Sequence, residues 1–95
     1  MMMPGFQSVR DGVHRRIHDA TLGFVLKGGK KNRRNVVHMM HVFADFALDC
    51  GQRTPEKFLL DEELFGRFCL SRNLSAKTAG NYRRANRKLL YLLGS

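Results

Sequence analysis

The stretch Leu74–Leu93, LSAKTAGNYRRANRKLLYLL, has the clearest helical periodicity in this chain. When successive residues are turned by about 100°, its apolar and small side chains fall within one narrow arc. That arc consists of Thr78, Tyr82, Ala85, Leu89, Leu92 and Leu93. Ser75 stands just before it, in a position suited to an N-cap. The stretch therefore predicts a long amphipathic helix with one side packed on a core.

The same periodicity predicts two helices in the first half of the chain. Ser8 and Asp11 have the S-x-x-D form of an N-terminal cap, so we expect the first helix to begin there and to end before Gly28. The second is expected over residues 35–50, with Gly51 as its C-terminal stop. Both carry an apolar stripe that needs a packing partner.

The remaining segment gives the fold class. Pro55 is suited to open a short helical turn, and the acids at 61–63 suit the start of a further helix, where the macrodipole favours negative charge. No segment alternates with the two-residue period of a strand. We therefore expect an all-α fold, a compact bundle of four to five helices. Residues 1–7 are expected to form a disordered tail, and residues 8–95 a single helical domain.

The composition points to an anionic partner. Among the 95 residues, Lys and Arg number 17 and Asp and Glu number 8, which gives a net charge of +9. Such an excess favours nucleic acid over a membrane surface. The N-terminal MMMPGFQSVR lacks the apolar stretch of a signal peptide, and no apolar run is long enough to span a bilayer. We therefore expect a cytoplasmic, DNA-associated protein that does not enter the membrane.

Polar residues form a second line along the last predicted helix. Lys77, Asn81, Arg84 and Lys88 follow i, i+4, i+7, i+11 spacing, with Arg83 and Arg87 on another flank. No Asp or Glu occurs from Leu64 onward, so the sequence predicts no acidic partner near these cations. Phosphate oxygens and base edges are bound by side chains of this kind. A merely solvated helix face is the alternative.

A second basic cluster precedes the other long helix. KGGKKNRRN, residues 27–35, contains five basic residues and no acid, and we expect it to form a loop leading into a helix start. Helix N-termini attract anions through their free amides, so basic residues there add to a phosphate site. The two clusters together give the candidate DNA-binding residues, which are Lys30, Lys31, Arg33, Arg34, Lys77, Asn81, Arg84, Arg87 and Lys88.

The last helix also resembles a known family, the core-binding (SAM-like) domain at the N-terminal side of tyrosine recombinases and phage integrases. That family tends to read Leu-Ser-x-x-Thr-x-x-x-Tyr-Arg-x-x-x-Arg-x-Leu-Leu in its last helix. The matching positions here are Leu74, Ser75, Thr78, Tyr82, Arg83, Arg87, Leu89 and Leu90. The resemblance covers Lys30 to Leu93. It departs at Asn35 and His38, where the family often has Thr and Tyr, and the first predicted helix lies outside it.

The resemblance implies a function as well as a fold. Family members place a helical bundle on one face of double-stranded DNA, with two helices toward the major groove and a separate catalytic domain on the other side. By position, those helices are the ones that begin near Arg34 and Ser75. The implied partners are double-stranded DNA and recombinase protomers or a catalytic domain. The family's catalytic residues belong to that other domain, so we expect no enzymatic activity, cofactor or small-molecule substrate in this chain.

The histidines form a further pattern. His38, His41 and Asp45 have i, i+3, i+7 spacing, and Asp11, His14 and His18 repeat it on the first helix. Two histidines and a carboxylate are a possible ligand set for a divalent metal. Three ligands on one straight helix seldom converge without a partner helix, so we expect solvated faces, or phosphate contact for His38, and no metal site.

Two other classes of function stay open. A small mobile-element inhibitor or adaptor would dock on an acidic partner protein and would expose an apolar patch beside its charges. Val37, Leu48 and Leu90 lie off the main core arcs and are the candidates for such a patch. The other class is an RNA-binding or nonspecific nucleic-acid-binding protein.

Overall fold

The computed structural model describes the backbone of residues 4–24 and 29–94 and the side chains of residues 8–24 and 33–94. Within these ranges every regular element is a helix, which confirms the all-α bundle. The five helices are α1 (Pro4–Thr21), α2 (Gly29–Asp49), α3 (Pro55–Phe58), α4 (Glu62–Ser71) and α5 (Ala76–Leu93). Among the described residues, no helix has both the length and the apolar character to cross a membrane.

An aromatic cluster joins the middle of the chain into the core. The ring of Phe43 on α2 contacts Phe58 of α3 edge to face, with the ring centroids 5.8 Å apart. It also lies 5.6 Å from Phe65 and 5.1 Å from Phe68, both on α4. Buried aromatic rings contribute large apolar areas, and edge-to-face pairs add a favourable term to that burial. This cluster fixes α3 and α4 against α2.

The remaining core connects α1 and α5 to α2. Val13 and Ile17 of α1 are buried, as are Ala85 and Leu89 of α5. α1 packs on both α2 and α5, so the helix outside the family resemblance belongs to the bundle. An ion pair with an N–O distance of 2.9 Å between Arg16 and Glu56 also attaches α1 to α3.

Two helices begin earlier than the sequence predicted. α1 begins at Pro4, so residues 4–7 are helical instead of a tail, and residues 1–3 lie outside the described part. Proline suits the first turn of a helix because its missing N–H has no intrahelical partner there. α2 begins at Gly29, so most of the predicted basic loop is helix, while residues 25–28 lie outside the described part.

The other predicted helix ends are confirmed. The side chain of Ser75 accepts a hydrogen bond from the amide of Thr78, and Asp61 caps α4 in the same way through Leu64. Gly51 has a φ of 94° and ends α2. The amide of Gln52 there donates to the carbonyl of Ala47 at 2.9 Å, as in a Schellman motif. These caps fix where α2 ends and where α4 and α5 begin relative to the core.

Candidate nucleic-acid interface

The outward side of α5 carries a row of polar side chains, which we call the α5 row: Lys77, Asn81, Arg84 and Lys88. All four are exposed, while Ala85 and Leu89 on the other side of the helix are buried. A helix rises about 1.5 Å per residue, so the row extends over about 16 Å. The structure thus brings these four predicted residues together on one surface.

Three of the four side chains in this row are cationic. Within the described part of the chain, Lys77 and Arg84 form no ion pair. Lys88 lies with its Nζ 5.4 Å from the centroid of the Phe24 ring, at the end of the α1 segment. An aromatic face attracts a cation without neutralising it. The row therefore places three cationic side chains on an exposed surface.

The contact at Phe24 links the two basic clusters. The amide of Phe24 donates to the carbonyl oxygen of Thr21 at 3.0 Å, and the guanidinium of Arg33 donates to that same oxygen at 2.6 Å. The start of α2 and the α5 row therefore meet at the end of α1, although Arg33 and Lys88 are far apart in the sequence. We call this point the junction: Thr21, Phe24, Arg33 and Lys88.

The predicted residues of α2 differ in their surroundings. Arg33 is half-buried, since one of its guanidinium nitrogens binds the end of α1, whereas Arg34 is exposed and forms no ion pair within the described residues. At i+4 from Arg34 lies His38, so both belong to the stripe of α2 that faces α1. Lys30 and Lys31 are on the first turn of α2, but their side chains lie outside the described residues.

The flank of α5 has an acidic neighbour that the sequence did not predict. Glu62 of α4 accepts a hydrogen bond from Arg83 Nε at 3.1 Å and lies 3.8 Å from the guanidinium of Arg87. The Arg83 guanidinium also sits 5.4 Å from the ring centroid of Phe65. The expectation that no acid lies near these cations is wrong for Arg83 and Arg87. Arg87, with 71% of its side chain exposed, retains access to a ligand.

The buried side-chain amide of Asn86 lies beneath Arg83 and Arg87. Asn86 is only 6% exposed and lies between the apolar core and a groove of about 120 Å³. The groove is lined on its polar side by Glu62, Arg83 and Arg87. Asn86 lies in the apolar arc of α5, four residues after Tyr82. Its burial could have been predicted from this position in the helical periodicity.

The histidine pattern is brought together by a partner helix, contrary to the expectation of separate solvated faces. Nδ1 of His14 on α1 lies 2.8 Å from Nδ1 of His41 on α2, and Nε2 of His14 lies 2.8 Å from a carboxylate oxygen of Asp45. Arg10 also binds Asp45 and, at 2.9 Å, Asp49. The described residues contain no group of three ligands arranged around a common metal position.

The apolar patch expected for an adaptor does not form from the predicted residues. Leu48 is buried in the core at 3% exposure, and Val37 and Leu90 are half-buried. Among the residues whose side chains are described, the exposed large apolar ones are Leu22, Leu60, Leu70 and Tyr91. Tyr91, at 78% exposure, is one turn beyond Lys88 on the outward side of α5.

The interface has to be interpreted from its geometry, because comparisons with known proteins gave no match. No family model, curated protein or solved structure matches this chain. The resemblance to the core-binding domain rests on the residues quoted for it, most of them between Leu74 and Leu90.

Proposed function

We propose that this protein binds double-stranded DNA through the α5 row together with the basic start of α2. The observation that supports this most is the junction, where Lys88 and Arg33 approach the same end of α1. A cationic surface assembled from two distant segments can contact phosphates on both sides of a groove. The proposed role is binding alone, without catalysis by this chain.

The dimensions of the α5 row suit a duplex. The major groove is about 12 Å wide and admits a single α-helix. Lys77 and Lys88, separated by about 16 Å along the helix axis, would reach phosphates near opposite edges of the groove. Asn81 and Arg84 lie between them, and these side-chain types form bidentate hydrogen bonds with adenine and guanine edges. The row therefore combines positioning contacts at its ends with base-reading groups in the middle.

The family resemblance supplies the biological setting of the proposal. A core-binding domain acts on recombination sites beside recombinase protomers or a catalytic domain, and we propose the same class of partners here. Arg87 matches the family pattern and lies next to the row, where Glu62 holds part of its charge. In this setting the protein would be associated with DNA in the cell.

The strongest competing function is docking on an acidic protein. The observation in its favour is Tyr91, an exposed aromatic beside the row that would suit a protein interface. We prefer DNA to an acidic protein as the ligand because the four residues of the α5 row are all polar and three of them are cationic. RNA and nonspecific nucleic-acid binding share the same electrostatics and differ in their dependence on helical shape and sequence.

A titration of ¹⁵N-labelled protein with short duplex DNA tests the proposal. We expect amide shifts concentrated at residues 34–41 and 77–88, and a log–log dependence of the binding constant on salt with a slope of about −4 to −6. Single-stranded DNA, an RNA hairpin and an acidic polypeptide serve as competitors. Shifts centred elsewhere, or preference for one of the competitors, would contradict duplex binding by this face.

A further inference from the structure

The contact between α1 and α2 contains two imidazoles that meet nitrogen to nitrogen. Their Nδ1 atoms are 2.8 Å apart, a hydrogen-bond distance, while the ring centroids of His14 and His41 are 5.0 Å apart. Because the centroids are farther apart than the nitrogens by 2.2 Å, the rings meet edge to edge and do not overlap face to face. This arrangement requires a hydrogen on one Nδ1 and a lone pair on the other.

The carboxylate of Asp45 restricts where the protons can be. An ionised carboxylate only accepts hydrogen bonds, so Nε2 of His14 must donate to it at 2.8 Å. When His14 is neutral, its Nδ1 accepts and His41 Nδ1 donates. When His14 carries an extra proton, the direction reverses and His41 accepts. We call Asp45, His14 and His41 the proton-sharing cluster.

The number of protons that the two imidazole rings can hold is limited by their contact. Its four ring nitrogens accommodate two or three protons with the observed contacts intact. A fourth proton would place N–H groups on both Nδ1 atoms, which face each other at 2.8 Å with no acceptor between them. The His14–His41 contact is therefore compatible with a neutral or a singly charged pair, and incompatible with a doubly charged one.

The geometry favours a shared proton over a metal ion. The two contacts of His14 use opposite nitrogens of its ring, so no single position is within ligand distance of all three members of the cluster. A zinc ion bound to both Nδ1 atoms would need bonds of about 2.0–2.1 Å from each, at an angle that forces the nitrogens farther apart than they are. A hydrogen fits between them without movement.

Burial and the neighbouring histidines also disfavour an additional proton on His41. Burial lowers the pKa of His41, and His14 and His18 on α1 and His38 on α2 lower it further, while Asp45 opposes them. The other three histidines of the chain thus all lie close enough to His41 to lower its pKa. Because folding lowers this pKa below its ordinary value of 6.5, the unfolded chain binds more protons in mild acid. The free energy of unfolding therefore falls as the pH drops below that value.

We propose that the proton-sharing cluster makes the docking of α1 on α2 sensitive to pH, firm near neutrality and weakened when a fourth proton enters. α1 contributes Val13 and Ile17 to the core, so weaker docking lowers the stability of the whole bundle. α1 has further polar attachments, from Arg10 to Asp45 and Asp49 on α2 and from Arg16 to Glu56 on α3. The Arg16–Glu56 pair does not follow this pH range. Its hydrogen bond lowers the pKa of Glu56 below 4.5. The proposal concerns the fold and is independent of any ligand.

Thermal unfolding at pH 7.5 and pH 5.0, at constant ionic strength and with EDTA present, tests this inference. His41→Gln removes the titrating ring, and His38→Gln removes an exposed histidine from the same helix as a matched control. We expect the midpoint of the wild type to fall by about 5 °C more than that of His41→Gln over this range. His38→Gln should stay close to the wild type, because His38 makes the smallest of the contributions that lower the pKa of His41. An equal fall in all three proteins would overturn the proposal.

A second measurement does not depend on the variant folding. Imidazole ¹⁵N spectra of the wild type at pH 7.5 report which nitrogen of each ring is protonated. We expect His14 protonated at Nε2 and His41 at Nδ1. A neutral His14 protonated at Nδ1, or a His41 without a proton on Nδ1, would also overturn the proposal, whatever the ligand experiments show.

Discussion

At the scale of single residues, Glu62 is the group that most affects the charge of the candidate interface. Glu62 contacts both Arg83 and Arg87 of α5. The side chains of Arg83 and Arg87 are 44% and 71% exposed, so the ion pairs are weak and a phosphate can replace the carboxylate. Glu62 therefore competes with DNA for the flank of the α5 row.

Glu62→Gln is expected to tighten duplex binding by about two- to fivefold, because an exposed ion pair contributes at most about 1 kcal/mol. Glu63→Gln is the matched control, since Glu63 is its exposed neighbour, changes the net charge equally and forms no ion pair among the described residues. The measurement is fluorescence anisotropy with a labelled duplex. Equal effects of the two substitutions would show that only the overall charge matters.

At this scale the sequence predicted which side chains of α5 are exposed, but it did not predict which residues the arginines contact. The α5 row could be predicted because helical periodicity fixes which residues share a side. Glu62 could not, since it lies 21 residues before Arg83 and reaches it only through the packing of α4. The bond from Arg33 to the carbonyl of Thr21 is hidden for the same reason.

At the scale of helices, the N-cap of α5 sets where the row begins. The hydroxyl of Ser75 accepts from the amide of Thr78 at 3.2 Å, which satisfies one of the unpaired donors at the helix start. Lys77 lies in this first turn. Fraying of the cap would therefore disorder the first cation of the row as well as the helix.

Replacing the cap tests this element. Ser75→Ala is expected to lower the free energy of unfolding by about 1 kcal/mol, measured by urea denaturation, because the amide of Thr78 loses its partner. Ser8→Ala is the control. The sequence suggested Ser8 as a cap, but it is exposed inside α1, where alanine should change stability by no more than about 0.5 kcal/mol. A larger loss for Ser8→Ala would indicate that α1 begins at Ser8 after all.

The helix ends show which local signals are sufficient. Ser75 and Gly51 were predicted because each combines a cap-forming residue with a change of periodicity, whereas Asp61 was predicted only as one of three acids at the start of a helix. The starts of α1 and α2 were missed because proline and basic residues are compatible with either a helix start or a loop. Contacts such as that of Arg33 with the end of α1 favour the helix at this position, and they are tertiary.

At the scale of the whole molecule, the distribution of charge matters more than its sum. Asp45 and Asp49 lie on α2 facing α1, where Arg10 binds both. The acids thus stabilise the α1–α2 contact, while the α5 row keeps its cations. The fold class could be predicted from periodicity, but the placement of α1 beside both α2 and α5 could not, because every amphipathic helix offers only one apolar stripe and no indication of its partner.

The central claim is that the α5 row binds DNA, and the most direct measurement compares two double variants in duplex affinity. Arg84→Ala with Lys88→Ala removes two cations of the row, whereas Arg15→Ala with Arg53→Ala removes two exposed cations from α1 and the loop before α3. Circular dichroism first establishes that both variants are folded. We expect the row variant to raise the Kd by about 10- to 100-fold and to reduce the salt slope by about two, with less than about a threefold change for the control. A folded row variant that binds the duplex as tightly as the control would contradict the claim.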